Sequence, residues 1–420
     1  MRFPALTRHP SAASRPAAPP ATAVTLSAAT LRPSAPALRR AYPSAITPPI
    51  RTAAIKKRSL PRLKLLAALL IFSALCQGGT LFCGAYPDWV LVIDEAQGKV
   101  IDKIKMVTGL PRSLRLSPDH KTIYVSTNDH NGFEVIDVAT HKVTNHFVLD
   151  DAAHRFRVDG GAPDPEGKVL YTSTTEITKL ADRYTIGRPR YTIIDLGQQK
   201  IVKTVEEPNQ GGRGGFGGGR GGGFEVSPDG KYLYQFGSSV TVLNSSDFSL
   251  VERIDLELSN GMPEGTLGLG GMEEALSEPG QRVSLFNYSD PIVHNRVFGL
   301  ARFDLNTRKF DFTPIGPAPP TLGRLFVTPD KKMGYAMSSS GQGGNKRCEF
   351  WGIDLTTTRL ARTAEVPCRT RYSFGISSNG KKLYIYAAGY QIEVYDAVTF
   401  KLEDTWDLGQ DMTGAMVVLP

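Results

Sequence analysis

From about residue 80 the chain is written as short apolar runs broken by polar turns, and one arrangement of the two occurs seven times. An apolar run ends in Asp or Asn. Two residues follow, then Thr or a stand-in, one further residue, and usually a basic residue that opens the next run. The copies begin at Asp94, Asp137, Asp195, Asn244, Asp304, Asp354 and Asp396, in steps of 43, 58, 49, 60, 50 and 42 residues. The clearest are Ile136-Asp137-Val138-Ala139-Thr140-His141-Lys142 and Tyr395-Asp396-Ala397-Val398-Thr399-Phe400-Lys401. A strand-and-turn repeat of this period predicts an all-β, seven-bladed β-propeller.

A second pattern leads each hairpin. It is a turn of the type Ser117-Pro118-Asp119-His120-Lys121, followed by a Tyr-rich strand. The other copies start at Asp164, Ser227, Ser277, Thr328 and Ser377. Pro presets φ, Asp bonds nearby backbone, and Gly accepts a positive φ. Each unit therefore reads as four antiparallel strands: inner, second, third and outer. Six leading turns stand against seven Asp hairpins, and the odd half predicts how the ring closes. The last run, Ala415–Pro420, reads as an inner strand that stops at its turn. It is expected to pair with Thr80–Cys83 and complete a seventh blade with Trp89–Asp94, which removes the exposed sheet edges. The longer steps mark insertions at Thr174–Pro189, Gly211–Gly223 and Gly261–Glu278.

Charge divides the chain. Residues 1–87 hold twelve basic residues and no acid, whereas the remainder holds 37 basic against 41 acidic residues. The formal charge of +8 thus belongs to the leader, and bulk charge does not argue for nucleic acid. Residues 1–59, rich in Ala, Pro, Ser and Arg, carry no apolar period and are expected to be disordered. Residues 60–78 contain a basic flank and the apolar run Leu65–Cys76. This is the pattern of a secretory signal, with an uncleaved membrane anchor as the alternative. The propeller is assigned to residues 79–420, and a periplasmic or secreted location follows. Cys348 and Cys368 flank one hairpin whose turn centres near Thr358. They read either as a cross-strand disulfide suited to an oxidising compartment or as two buried thiols.

Candidate chemistry is sparse. The Arg-Gly-Gly tract at 211–223 fits a flexible loop better than an RNA-binding segment. His120, His130, His141, His146, His154 and His294 are scattered without metal-ligand spacing. No Cys-x-x-Cys-His, phosphate loop or nucleophile elbow occurs, and no catalytic, cofactor-binding or metal residue is assigned. Five arginines, Arg112, Arg157, Arg220, Arg324 and Arg371, precede inner-strand turns. In a propeller they would gather round one mouth of the channel as a collar for an acidic partner. A lactonase-like reading with a central metal needs inward acids, and Ser113–Leu116, Phe224–Val226 and Leu325–Val327 supply only Glu225.

The Tyr-Val-Ser and Val-Ile-Asp-x-x-Thr-x-Lys texture resembles the YVTN class of bacterial seven-bladed propellers. Three stretches are similar to the β subunit of quinohemoprotein amine dehydrogenase. They are Leu81–Asp88 leading into Val92-Ile93-Asp94, the insertion Glu176–Pro189 before Tyr191–Asp195, and Glu393–Thr399 followed by Asp407-Leu408-Gly409. The resemblance implies a periplasmic, non-catalytic scaffold subunit in an oxidoreductase complex. A small partner would carry a cysteine tryptophylquinone and another would carry c-type haems. The propeller would wall the quinone pocket while holding no cofactor itself. The alternative is a stand-alone exported propeller that binds a protein or glycan.

Overall fold

A computed structural model describes residues 78–420 except 129–131, 208–222, 238, 257–265, 271–272, 275–279, 291, 293, 320, 322, 370–371 and 387–388. The expectations for the leader, the signal segment, nearly all of the Gly-rich tract, Ser277–Pro279, Arg220 and Arg371 lie outside the described residues. Among those described, seven small antiparallel sheets form a seven-bladed propeller. Blades are numbered from their inner strands: Pro111–Leu116, His154–Pro163, Phe224–Val226, Thr266–Leu269 with Glu273–Glu274, Phe326–Val327, Ser373–Ile376 and Met412–Leu419. Blade 2 has an extra short strand, Tyr184–Ile186, and the inner strand of blade 4 is split in two, so both depart from four strands. All seven third strands end at the Asp or Asn read from the sequence.

Closure follows the expected scheme. Met412–Leu419 pairs antiparallel with Thr80–Ala85, placing Thr80 opposite Leu419 and Cys83 opposite Met416. Trp89–Asp94 and Lys99–Lys105 complete blade 7. The leading turns are held as their chemistry requires. Ser117 Oγ donates to Asp119 Oδ1, which accepts Lys121 N–H, while Ser117 Oγ accepts Thr122 N–H at 3.0 Å. The same set recurs at Ser227, Thr328 and Ser377. Gly167, Gly230, Gly280 and Gly380 take positive φ there, and His120 and Lys331 adopt the same left-handed conformation at φ 59°.

The Asp hairpins share a less expected feature. The fifth residue, counting four on from the Asp or Asn, is left-handed in all seven: Gly98, His141, Gln199, Phe248, Arg308, Thr358 and Phe400. Such a backbone costs a side-chain-bearing residue about 1 kcal/mol or more. Five of these side chains reach back to the preceding blade. His141 Nδ1 lies 3.0 Å from Asp102 Oδ2, and Gln199 Nε2 donates to Asn145 Oδ1 at 2.6 Å. Phe248 packs on Tyr171 and Tyr191, Arg308 donates to Glu252, and Phe400 packs on Tyr335 and Phe350. At Gly98 the reach is reversed, since a Cβ there would stand 2.3 Å from Trp406 of blade 6. His141 is therefore a link between blades.

A second layer of contacts runs forward. Tyr124, Tyr171, Tyr234, Tyr335 and Tyr384 occupy one register position on the second strands. Tyr234 donates to Leu305 O of blade 4, and Tyr384 donates to Glu95 of blade 7 at 2.8 Å. Glu95 also accepts Gly79 N–H and both the N–H and hydroxyl of Ser378, which ties blade 7 to blade 6. Cys348 and Cys368 are joined as a disulfide with Cα atoms 5.3 Å apart. The sheet register pairs Cys348 with Val366, so Cys368 bridges from just past the outer strand rather than from the directly opposite position. The hairpin pairs Asp354 with Arg359, so its turn centres before Thr358, and the bulge between Gly352 and Ile353 recovers only one residue of the offset.

Two outcomes follow. Phe248→Ala should cost about 3–4 kcal/mol in urea unfolding because the lost packing outweighs any backbone relief, whereas His120→Gly should be neutral or stabilising by up to about 1 kcal/mol. The turn carboxylates set the acid limit. Hydrogen bonds from the Thr356 hydroxyl and the Thr357 and Thr356 N–H groups hold Asp354 down to about 2, and Asp137, Asp304 and Asp396 are also lowered. A depressed carboxylate contributes stability above its unfolded value and loses it as pH falls through the folded one. Urea midpoints should therefore be flat above about pH 5 and fall between about pH 4 and 2; a flat profile down to pH 2 would contradict these turns.

Candidate functional site

The inner strand of each blade has one edge without a ladder partner, and these edges face the central channel. Unpaired backbone carbonyls there need other donors. Arg115, on the inner strand of blade 1, supplies them. Its Nη1 donates to Gly161 O of blade 2 at 3.2 Å and to Phe224 O of blade 3 at 3.3 Å. Its Nη2 donates to Glu225 Oε2 at 3.1 Å. The same oxygen accepts Arg282 Nη2 at 2.7 Å and Nε at 3.1 Å. One carboxylate thus joins the inner strands of blades 1 and 3 to the second strand of blade 4.

Arg282 is an anomaly in the repeat. Its register position holds Leu81, Ile123, Leu170, Leu233, Gly334 and Leu383 in the other blades. It keeps their burial, at 4 % exposure. A guanidinium there requires a charge partner, and Glu225 provides it. Burial alone would raise the Glu225 carboxyl, but Arg115 and Arg282 override it and hold the group below the usual carboxylate range. A carboxylate held this way is a poor proton acceptor at neutral pH. Glu225 was singled out in the sequence, while Arg115 and Arg282 were not. The readable signal for Arg282 is a charged residue in a column of aliphatics.

The collar is partly described. Arg112 is the second residue of the inner strand of blade 1, and Arg157 lies within that of blade 2. Arg324 stands two residues before that of blade 5. Strands thus begin earlier than read for Arg112 and Arg157, which are not in loops. All three are exposed at the end where inner strands start, and Arg112 Nη1 reaches Val158 O.

The count of inner-strand acids needs correction. Asp159 lies on the inner strand of blade 2, and Glu273 and Glu274 form part of that of blade 4, within a stretch read as an insertion. Among the described residues no group of three His, Cys, Asp or Glu is placed to hold a metal ion. His154 bonds Asp151 at 3.0 Å, which raises the imidazole from its ordinary value, and Glu176 stands 3.8 Å from its other nitrogen.

The two ends of the ring differ. One end carries the tight leading turns and the five-residue Asp hairpins. The other carries the hairpin tips and the crossings between blades, where the described insertion Thr174–Pro189 also stands. Large apolar side chains are exposed there: Tyr86, Val107, Tyr184, Ile186, Ile292 and Tyr390. At the tight end Val398 does so in a turn, and Leu250, Leu360 and Leu402 do so where outer strands begin.

No protein-family model matches the sequence, and no curated protein is significantly similar to it. Several solved structures are similar to it in part. Hydrazine synthase of Kuenenia stuttgartiensis is 16 % identical over 71 % of this chain and 86 % of that chain, with a TM-score of 0.46. A functionally unknown protein from Desulfotomaculum acetoxidans is 11 % identical, covering 81 % and 99 %, with a TM-score of 0.49. Dihydro-heme d1 dehydrogenase NirN is 16 % identical, covering 81 % and 75 %, with a TM-score of 0.47. At these identities the likeness is one of fold.

Glu225→Ala strands a buried guanidinium and should cost about 3–5 kcal/mol in denaturant unfolding. Arg282→Leu combined with Glu225→Gln restores the aliphatic column and should fall within about 1 kcal/mol of the parent or above it. An alanine variant as stable as the parent would show that the network is not desolvated.

Proposed function

We propose that this chain is an exported, non-catalytic propeller scaffold that presents its variable end to protein partners in a complex like quinohemoprotein amine dehydrogenase. One observation carries the reading. Each of the three stretches that resemble that family's β subunit reaches the same end of the ring. Leu81–Asp88 rises along the second strand of blade 7 to the tip at Tyr86, which is 62 % exposed. Glu176–Pro189 builds the protruding hairpin of blade 2, with Tyr184 and Ile186 outward. Asp407–Gly409 lies in the crossing from blade 6 to blade 7. Sequence that departs from the repeat at one end suits a docking face, because length changes there leave the ring intact.

In this reading a quinone-bearing small subunit and a c-type cytochrome subunit are the partners. The quinone and haem belong to them, and this chain walls the pocket. The disulfide Cys348–Cys368 supports a periplasmic or secreted location. Arg112, Arg157 and Arg324 form the rim toward an acidic partner surface, and Arg220 and Arg371 lie outside the described residues. The second reading is a stand-alone exported propeller that binds a protein or glycan. The exposed Tyr86, Tyr184 and Tyr390 favour it, since aromatic faces serve either ligand.

Affinity purification of the tagged full chain from its own cells, with mass spectrometry and haem staining, separates the two. Co-purification of a haem-staining c-type cytochrome and a small quinone-containing subunit is expected. Recovery of the propeller alone would overturn the complex. With the partner in hand, Arg157→Glu plus Arg324→Glu should weaken capture about tenfold or more at low salt, and unchanged capture would remove the rim from the interface.

A further inference from the structure

The blades act as internal controls for one another at a second register position. Two residues before the terminal Asp or Asn of the third strand stand Val92, Val135, Ile193, Val242, Arg302, Gly352 and Val394. Six blades place a side chain there and blade 5 places none. Gly352 pairs with Tyr335 on one side and Arg362 on the other. Its missing side chain would point toward blade 6, since a Cβ would meet Phe400 Cζ at 3.1 Å and Tyr335 Cε1 at 3.5 Å.

The absent side chain lets Phe400 close in, and beside this contact lies a hollow of about 200 Å³ between blades 5 and 6, close to the tight-turn end. Tyr335, Ala397 and Phe400 form buried walls, and Met333 and Ala361 complete the lining. Val398, 71 % exposed, and Arg362 mark where the hollow opens to solvent. A dry cavity of about 150 Å³ is enough to take a benzene ring.

Arg362 supplies the polar edge. In the other blades the residue at its position is Asp102, Asn145, Lys203, Glu252, Asp311 or Asp404. Four of these link to the next blade: Asp102, Asn145, Lys203 and Glu252. Arg362 makes the same link with Nη1, donating to Val398 O at 2.9 Å. A guanidinium has five N–H donors, so this link leaves capacity at the opening. Its carbon lies 5.7 Å from the centre of the Phe400 ring. The carboxylate on the facing hairpin, Asp396, is occupied by Val398 N–H and Thr399 N–H. An apolar slot with one cation at its lip fits a flat apolar body bearing one negative charge.

We propose that the hollow between blades 5 and 6 is a binding site for a small aromatic carboxylate. The ring lies in the hollow against Phe400, Tyr335 and Met333, and the carboxylate bonds Arg362. The site is independent of the variable end and of the scaffold reading.

The test is a titration of methyl-labelled protein with phenylacetate, followed by NMR. Saturable shifts are expected at Met333, Ala361, Ala397 and Val398. Gly352→Val crowds the wall at Phe400, where a Cβ alone would stand 3.1 Å from Cζ, and should abolish them while lowering Tm. Arg362→Gln keeps a donor for Val398 O and should weaken phenylacetate about tenfold while leaving neutral toluene unchanged. Shifts that fail to saturate, or that persist in Gly352→Val, would overturn the site. Should that variant unfold, equal loss of phenylacetate and toluene in Arg362→Gln would overturn the charge pairing.

Discussion

The ring depends on a backbone conformation that most residues avoid. Each Asp hairpin sends its fifth residue into the left-handed region, and in five blades that residue's side chain is the one that grips the blade before it. The local cost is about 1 kcal/mol per turn. The return is interblade packing or a hydrogen bond that no relaxed turn would aim in that direction. Gly in all seven places would ease every turn and loosen the ring. The single Gly, Gly98, occurs where Trp406 of blade 6 fills the space instead.

This constraint also assigns the two ends their roles. The tight end cannot vary in length, because its turns are the couplings between blades. The opposite end bears no such duty. Its crossings and tips therefore absorb the described insertion Thr174–Pro189 and the exposed aromatics Tyr86, Tyr184 and Tyr390. Closure through Met412–Leu419 and Thr80–Ala85 makes this division possible, since it holds the first and last strands in one blade and leaves only the short edges that every blade has.

Where the repeat breaks internally, blades 4 and 5 are the ones affected. Arg282 replaces an aliphatic and draws Glu225 and Arg115 into a desolvated network across the channel wall. Gly352 removes a side chain and lets the Phe400 ring close in, next to the hollow beside Arg362. Both changes occur at positions the other blades devote to packing. Neither change has an equivalent elsewhere in the ring that would explain it as part of the common architecture.

Much of the fold was legible in the residues. Seven Asp hairpins against six leading turns predicted the blade number, the strand ends and the closing pair, because turn chemistry is local and each motif carries its own hydrogen bonds. The position between Thr140 and Lys142 shows where that legibility stopped. It reads as a spacer, yet His141 is an anchor, since the sign of its φ and its reach to Asp102 depend on a neighbouring blade. The candidate site divides the same way. Glu225 was visible as an inner-strand acid, but its partners sit in other blades, and Asp159, Glu273 and Glu274 escaped notice because irregular inner strands hide strand limits. Sequence by itself determined the architecture, through local turns repeated in order. Only the tertiary structure decided which side chains meet, because every interblade contact joins residues whose separation along the chain carries no trace of their nearness in the ring.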